Sequence, residues 1–276
     1  MKVIAVLILF VACVAAGLQD FKVKTVHPRD RTNASSFDSR ITNGLDAAAG
    51  QFPYQVALEF TGLFSSWFCG GVIIDNCWIL TAAHCTDEAL YVKIFYGALS
   101  LSSPAFTETV YALSFKQHIL YSSSSLKYDI SLIKTPHVAF NSAIDKVKLP
   151  SISATPQTYE GNIATTSGWG YTSDYNPNLA GTLQYIDLEV ISNTECESVY
   201  GAVISDSNLC CKTDNGISTC SGDSGGPLTW YDGITWLIGI TAFGSSEGCQ
   251  KNYPVGFTRI TQYLHWIKDN SGIYTP

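Results

Sequence analysis

Eight of the chain's nine cysteines lie downstream of a short apolar leader, at positions 69, 77, 85, 196, 210, 211, 220 and 249. Lys2 precedes an apolar run from Val3 to Ala16, and Val14-Ala15-Ala16 offers small residues for cleavage. The run is shorter than the roughly 20 apolar residues of a membrane span. Residues 1–16 therefore read as an export signal, which removes Cys13. An even cysteine set in an exported chain points to disulfides rather than a metal site. The spacings fit no zinc template, and Cys210-Cys211 is not a CxxC pair. The exported product is expected to be soluble, with no membrane partner.

The chain of 276 residues is 46% hydrophobic, enough for a sizeable core. It is rich in Gly, Ser, Thr and aromatics, and few segments look like long amphipathic helices. That balance favours an all-β class. Charge is divided unevenly. Residues 1–40 hold six of the 16 basic side chains and three of the 23 acidic ones, so residues 41–276 carry a formal charge of −10. Such a surface repels nucleic acid, and no nucleic-acid partner is expected. Arg259 is the only arginine after residue 40.

Residues 17–40 form a polar, cysteine-free stretch ending at Arg40, with a glycosylation sequon at Asn33-Ala34-Ser35. Beyond it the pattern becomes short apolar strands broken by Gly, Ser, Asn and Pro. Ile186-Asp187-Leu188-Glu189-Val190 alternates as a half-buried strand should. Cys69 to Leu80 and Thr235 to Phe243 are continuously apolar and read as buried strands. Thr135 to Pro156 is looser and suits a link between two halves. The periodicity predicts a C-terminal helix at about Thr261 to Asn270, with Leu264 and Ile267 on one face.

Three short strings carry chemistry. Ser224 sits in Gly222-Asp223-Ser224-Gly225-Gly226-Pro227. A nucleophilic serine needs an exposed hydroxyl beside backbone N–H groups that face the developing oxyanion. Flanking glycines permit the tight turn and close substrate approach. His84, in Thr81-Ala82-Ala83-His84-Cys85, follows a buried apolar strand and stands beside a cysteine that can anchor it. Asp129 opens Asp129-Ile130-Ser131-Leu132-Ile133-Lys134, and taken alone reads as a turn or strand-start residue.

Together, in the order His, Asp, Ser, these residues resemble the chymotrypsin-like serine proteases. The resemblance spans residues 41–276. It includes Arg40-Ile41-Thr42-Asn43-Gly44, Cys69-Gly70-Gly71, Gly168-Trp169-Gly170 and the closing helix. Within the family the chain looks most like arthropod digestive chymotrypsins and brachyurin-type enzymes. The resemblance implies two six-stranded antiparallel Greek-key barrels with a C-terminal helix, one over 41–148 and the other over 149–276. It implies His84, Asp129 and Ser224 as catalytic triad, and the N–H groups of Gly222 and Ser224 as oxyanion hole.

It further implies a zymogen. Cleavage of the 17–40 propeptide after Arg40 would free the amine of Ile41, which would pair with Asp223. Arg at the cut calls for a trypsin-like activating protease, and the cysteine-free propeptide should not stay tethered afterwards. Disulfides transfer by position as Cys69–Cys85, Cys196–Cys210 and Cys220–Cys249. Cys77 and Cys211 depart from the pattern and are either free thiols or an extra bridge. The pocket floor falls on Ser218, a neutral residue, with Gly244 at the entrance wall. Val255 lies at the deeper wall, where it would shorten the pocket unless the longer neighbouring loop turns it elsewhere.

Cleavage after Phe, Tyr, Leu or Met is expected, with elastase-like specificity as the alternative. A non-catalytic homologue acting as a binding module is the rival from another class, though such proteins usually lose a triad member. Ala242 stands where the family carries a serine that bonds the triad Asp, and Phe243 where it carries a Trp. The expected product is an extracellular digestive enzyme of the gut lumen, monomeric, without cofactor or metal. Its expected partners are protein and peptide substrates and protein protease inhibitors. Activity should fall below about pH 6–7 as His84 takes up a proton.

Overall fold

The computed structural model describes residues 22–27, 42, 44–153 and 155–273. The 1–16 leader, the sequon at Asn33, and Arg40 and Ile41 lie outside them. In chain order the first strands are β1 (Thr25–Val26), β2 (Leu45–Asp46), β3 (Gln55–Thr61), β4 (Ser66–Asp75), β5 (Trp78–Thr81), β6 (Tyr91–Tyr96), β7 (Phe106–Tyr111), β8 (Phe115–Gln117) and β9 (Ser131–Lys134). They are followed by β10 (Ile163–Gly168), β11 (Tyr171–Ser173), β12 (Asn176–Leu179), β13 (Gln184–Ile191), β14 (Asn208–Cys211), β15 (Pro227–Tyr231), β16 (Thr235–Ser245) and β17 (Val255–Arg259). The α-helices are short: α1 (Ala83–Thr86), α2 (Asn193–Tyr200) and α3 (Leu264–Ser271). Among the described residues no helix is long and apolar enough to cross a membrane.

The second half closes into a ring. Its strands run β16-β15-β10-β13-β14-β17, and β17 pairs back onto β16. In β13, Ile186, Leu188 and Val190 are buried while Asp187 and Glu189 are exposed. This is the two-residue alternation of a strand with one face on a core. Those side chains pack with Ala164, Leu209, Leu228, Ile238 and Phe257 inside the barrel.

The first half is a curled antiparallel sheet in the order β7-β6-β3-β4-β5-β9-β8. Its two ends, β7 and β8, are arms of one stretch of chain separated by a 3-10 turn at Ala112–Ser114. The sheet thus returns on itself through a bent strand that serves β6 at one end and β9 at the other. The apolar run from Cys69 to Leu80 belongs to two strands, because Asn76 and Cys77 turn the chain between β4 and β5.

The halves are joined by buried contacts. Ser167 Oγ donates to Gln55 Oε1 at 2.8 Å, and Leu237 N–H to the Lys148 carbonyl at 2.8 Å. The C-terminal segment starts as a 3-10 turn at Ile260–Gln262 and becomes α3 only at Leu264. Ile260, Tyr263, Leu264 and Ile267 pack into the core of the first half. The last helix therefore clamps one half to the other, each fully buried aliphatic contributing about 1.5–3 kcal/mol.

Candidate active site

The sheet registers bring His84 and Asp129 together. β5 pairs with β9 with Thr81 opposite Ser131. Continuing that register two residues past β5 and back along the other chain sets Asp129 beside α1. The chain enters Asp129 through Tyr128, whose φ of 61° lies in the left-handed region. A bulky side chain there costs about 1–3 kcal/mol and persists only when neighbours hold it. Tyr263 does so by accepting the Tyr128 backbone N–H on its hydroxyl oxygen at 2.9 Å, and His118 stacks on the Tyr128 ring with centroids 4.7 Å apart.

Asp129 then grips His84 twice. Oδ1 accepts the His84 backbone N–H and Oδ2 meets ring Nδ1, both at 2.8 Å. An ionised carboxylate only accepts, so Nδ1 must carry the ring proton in this contact and Nε2 is left as the basic nitrogen. Burial alone would push the Asp129 carboxyl up; the charge and hydrogen bonds of His84, with His27 adding to them, hold it below its ordinary value. The Cys69–Cys85 disulfide, with Cα atoms 6.3 Å apart, fixes α1 to β4. Trp67 Nε1 also donates to the Cys85 carbonyl at 2.8 Å.

Ser224 is set against the same wall. Its carbonyl accepts from Gly70 N–H at 2.7 Å, and Gly225 N–H donates to the Thr241 carbonyl at 2.8 Å. Gly225 has φ +76°, and a Cβ there would overlap Thr81 Oγ1 and lie 2.6 Å from the Gly70 oxygen and 3.2 Å from Ala82 N. Only glycine lets the serine loop press this closely on the residues leading into His84. Ser224 is fully buried, and its Oγ has no hydrogen-bond partner among the described residues. A buried hydroxyl left so costs about 1–3 kcal/mol, a cost that fits a group held ready for a reaction partner. The N–H groups of Asp223, Gly225 and Gly226 are all taken by carbonyls; those of Gly222 and Ser224 are outside that set.

Asp223 explains the Gly168-Trp169-Gly170 string. A side chain at either glycine would collide with the Asp223 carboxylate. The carboxylate accepts from Gly170 N–H at 2.8 Å and Cys220 N–H at 2.9 Å. Burial pushes its pKa up to about 7, against which these two donors work. Thr42 is fully buried, with Oγ1 donating to the Ser218 carbonyl at 3.0 Å.

Of the pocket candidates, Ser218 is buried and its hydroxyl donates to the Thr219 carbonyl at 2.9 Å. Val255 is buried and packs with Leu209, Cys211 and Phe257. Cys220–Cys249 and Cys196–Cys210 are both bonded, with Cα separations of 5.5 and 6.2 Å. Cys77 and Cys211 are free, and burial pushes the Cys211 thiol up. Arg259 is tied to the carbonyls of Thr158, Asp206 and Asn208 and to Asn193 Oδ1. Those bonds give the lone late arginine a structural role. Ala242 offers no hydroxyl to Asp129, whose carbonyl instead accepts from Thr258 Oγ1 at 2.8 Å.

The residue that motif reading passes over is His27. Its ring stacks on His84 with centroids 4.3 Å apart, and Nδ1 lies 2.7 Å from the Ala242 carbonyl. Val23-Lys24-Thr25-Val26 has the β-branched character of a short strand, but nothing in the sequence indicates where it pairs.

The Trypsin family profile matches residues 41–267. Serine protease 1 of Drosophila melanogaster is 48% identical over 242 residues, covering 88% of this chain and 89% of that protein. Brachyurin of Leptuca pugilator is 39% identical, covering 86% of this chain and all of its own length. Collagenase of Hypoderma lineatum is 39% identical over 86% of this chain and 89% of its own. A solved structure of HL collagenase superposes with a TM-score of 0.78 at 37% identity, covering 84% of this chain and 99% of the other. The chain therefore belongs to the trypsin family and is a chymotrypsin-like serine endopeptidase.

Proposed function

We propose that this endopeptidase is a secreted digestive zymogen, activated by cleavage after Arg40, that works through His84, Asp129 and Ser224. The observation that carries the reading is the two-point hold of Asp129 on His84, with the Ser224 loop packed against Thr81 and Ala82 and its buried hydroxyl bonded neither to His84 nor to any other described residue. Ser224 Oγ adds to the peptide carbonyl while His84 Nε2 takes its proton. The tetrahedral oxyanion rests on the N–H groups of Gly222 and Ser224, each donor worth roughly 3 kcal/mol. The imidazolium then protonates the leaving amine, the C–N bond breaks, and an acyl-serine remains. Water attacks it with His84 again as base, and Ser224 recovers its proton. Asp129 fixes the ring tautomer and stabilises the cation.

Latency follows from Asp223. In the uncut chain the nitrogen of Ile41 is an uncharged amide. A buried carboxylate without a cation is costly, and a pKa of about 7 expresses that cost. Cleavage after Arg40 would turn the amide into an ammonium, which would pair with Asp223 and order the loop of Gly222 and Ser224. The neutral Ser218 floor supports cleavage after Phe, Tyr, Leu or Met, since it offers no charge to Lys or Arg. Protein and peptide substrates, a trypsin-like activator and an extracellular setting complete the reading.

The test is to express residues 17–276, cut with trypsin, inhibit the trypsin, and assay Phe, Leu, Ala and Arg p-nitroanilide peptides. Turnover is expected to be fastest for Phe and Leu. No turnover after verified cleavage at Arg40 overturns the proposal, and preferred turnover of Arg overturns the pocket assignment.

A further inference from the structure

We propose that residues 22–27 of the propeptide occupy the substrate cleft as a tethered, substrate-like inhibitor, with His27 capping His84. The inference rests on the reading of the His84 and Ser224 site as catalytic, and adds a second lock to the one made by Asp223.

The segment is held along its whole described length. Lys22 Nζ donates to the Ser198 carbonyl and Val23 N–H to the Val199 carbonyl, both at 3.1 Å, near the end of α2. Val23 packs on the cluster of Ile191, Cys196, Tyr200 and Phe243. The Lys24 carbonyl accepts from Ser246 N–H at 2.9 Å. β1 then pairs antiparallel with β16, Thr25 opposite Ser245 and Val26 opposite Gly244. The ladder of β16 with β17 ends at Phe243, so β1 uses a part of β16 that overhangs the barrel. An overhanging edge of this kind accepts an added peptide strand through main-chain hydrogen bonds.

The segment ends where the chemistry begins. His27 is buried, lies over the His84 ring, and places Nδ1 3.7 Å from Asp129 Oδ2. The Ala242 carbonyl is met by the His27 ring, with Nδ1 at 2.7 Å. A peptide reaching Ser224 along this edge needs the same backbone groups of β16 and the same space over His84, so segment and substrate exclude each other.

Arg40 lies C-terminal to the segment, and residues 17–40 contain no cysteine. Cleavage therefore leaves the segment bound by non-covalent contacts, and it must dissociate before substrate enters. While joined, it meets the cleft at an effective concentration on the order of mM. A dissociation constant of about 0.1 mM in trans would thus keep the cleft about nine-tenths filled in cis.

The test uses a synthetic amidated peptide of residues 22–31 with the trypsin-activated enzyme. At about 1 mM it should raise the apparent KM for a Phe or Leu p-nitroanilide roughly tenfold and leave kcat unchanged. The His27→Ala and Val26→Pro peptides should each lose most of that effect. A fluorescent version should bind the activated Ser224→Ala chain, as read by anisotropy, and be displaced by a substrate peptide. An unchanged KM with the native peptide on an active enzyme, or equal potency of the His27→Ala peptide, overturns the proposal. If the activated chain turns over no substrate, the catalytic reading fails, and the anisotropy still decides whether the segment fits the cleft.

Discussion

Asp129 holds His84 at two points, its Oδ1 on the backbone N–H and its Oδ2 on ring Nδ1, both at 2.8 Å. The ring is thereby fixed in position and in tautomer. Asp129→Asn presents an N–H where an acceptor is needed, or rotates the ring to the other tautomer. Steady-state kinetics on the activated variant should give a kcat lower by on the order of 10⁴, the size known for this change in the family's triad. A loss below tenfold would show that Asp129 does not set the tautomer.

Gly225 is a packing requirement as much as a turn. Its φ of +76° and the closeness of Thr81 Oγ1 and Gly70 O leave no room for a methyl group. Gly225→Ala should lower stability by about 2–4 kcal/mol, read from urea unfolding, and displace Ser224 so that activity falls with it. Wild-type stability would mean that the loop has freedom to move away from β4 and β5.

Asp223 gives a pH signature to the uncut chain. With its pKa raised to about 7 by burial, it keeps its proton when folded while the unfolded chain loses one near pH 4. The uncut chain should therefore lose stability as pH rises from about 4 to 7, by an amount on the order of 4 kcal/mol for this group. On the proposed activation, cleavage after Arg40 would supply the counter-charge and should remove that loss. Thermal melts of the uncut chain, of its Asp223→Asn variant and of the cut chain separate this effect. An equal pH slope in all three would contradict it.

On the proposed specificity, Ser218 forms a neutral pocket floor. Ser218→Asp should transfer preference toward Arg and Lys substrates, with turnover after Phe falling at least about tenfold. An unchanged panel of p-nitroanilides would place the floor elsewhere.

Much of this was legible in the sequence because its signals are local. The strings around His84 and Ser224 announce the site, and the alternation at Ile186–Val190 announces β13. Distances along the chain hide the rest. Asp129 reads as an ordinary turn residue until the β5–β9 register sets it beside His84. The helix expected from Thr261 begins three residues later, because Tyr263 leaves the helical conformation and its hydroxyl oxygen accepts the Tyr128 N–H. The run from Cys69 to Leu80 hides a turn at Asn76 that two asparagine-type signals, Asp75 and Asn76, mark only weakly. His27 is illegible for a different reason. Its segment has strand character but no periodicity long enough to name a partner, and the partner lies more than two hundred residues away, at Ala242.

The most direct measurement is covalent labelling by an organophosphate that phosphorylates activated serines, with the adduct mapped by mass spectrometry before and after cleavage at Arg40. The cut chain should carry one phosphoryl group on Ser224, at a rate that His84→Ala lowers by about 10³ or more, and the uncut chain should label far more slowly. An active cut chain that carries no label on Ser224, or carries it on another residue, would contradict the catalytic account.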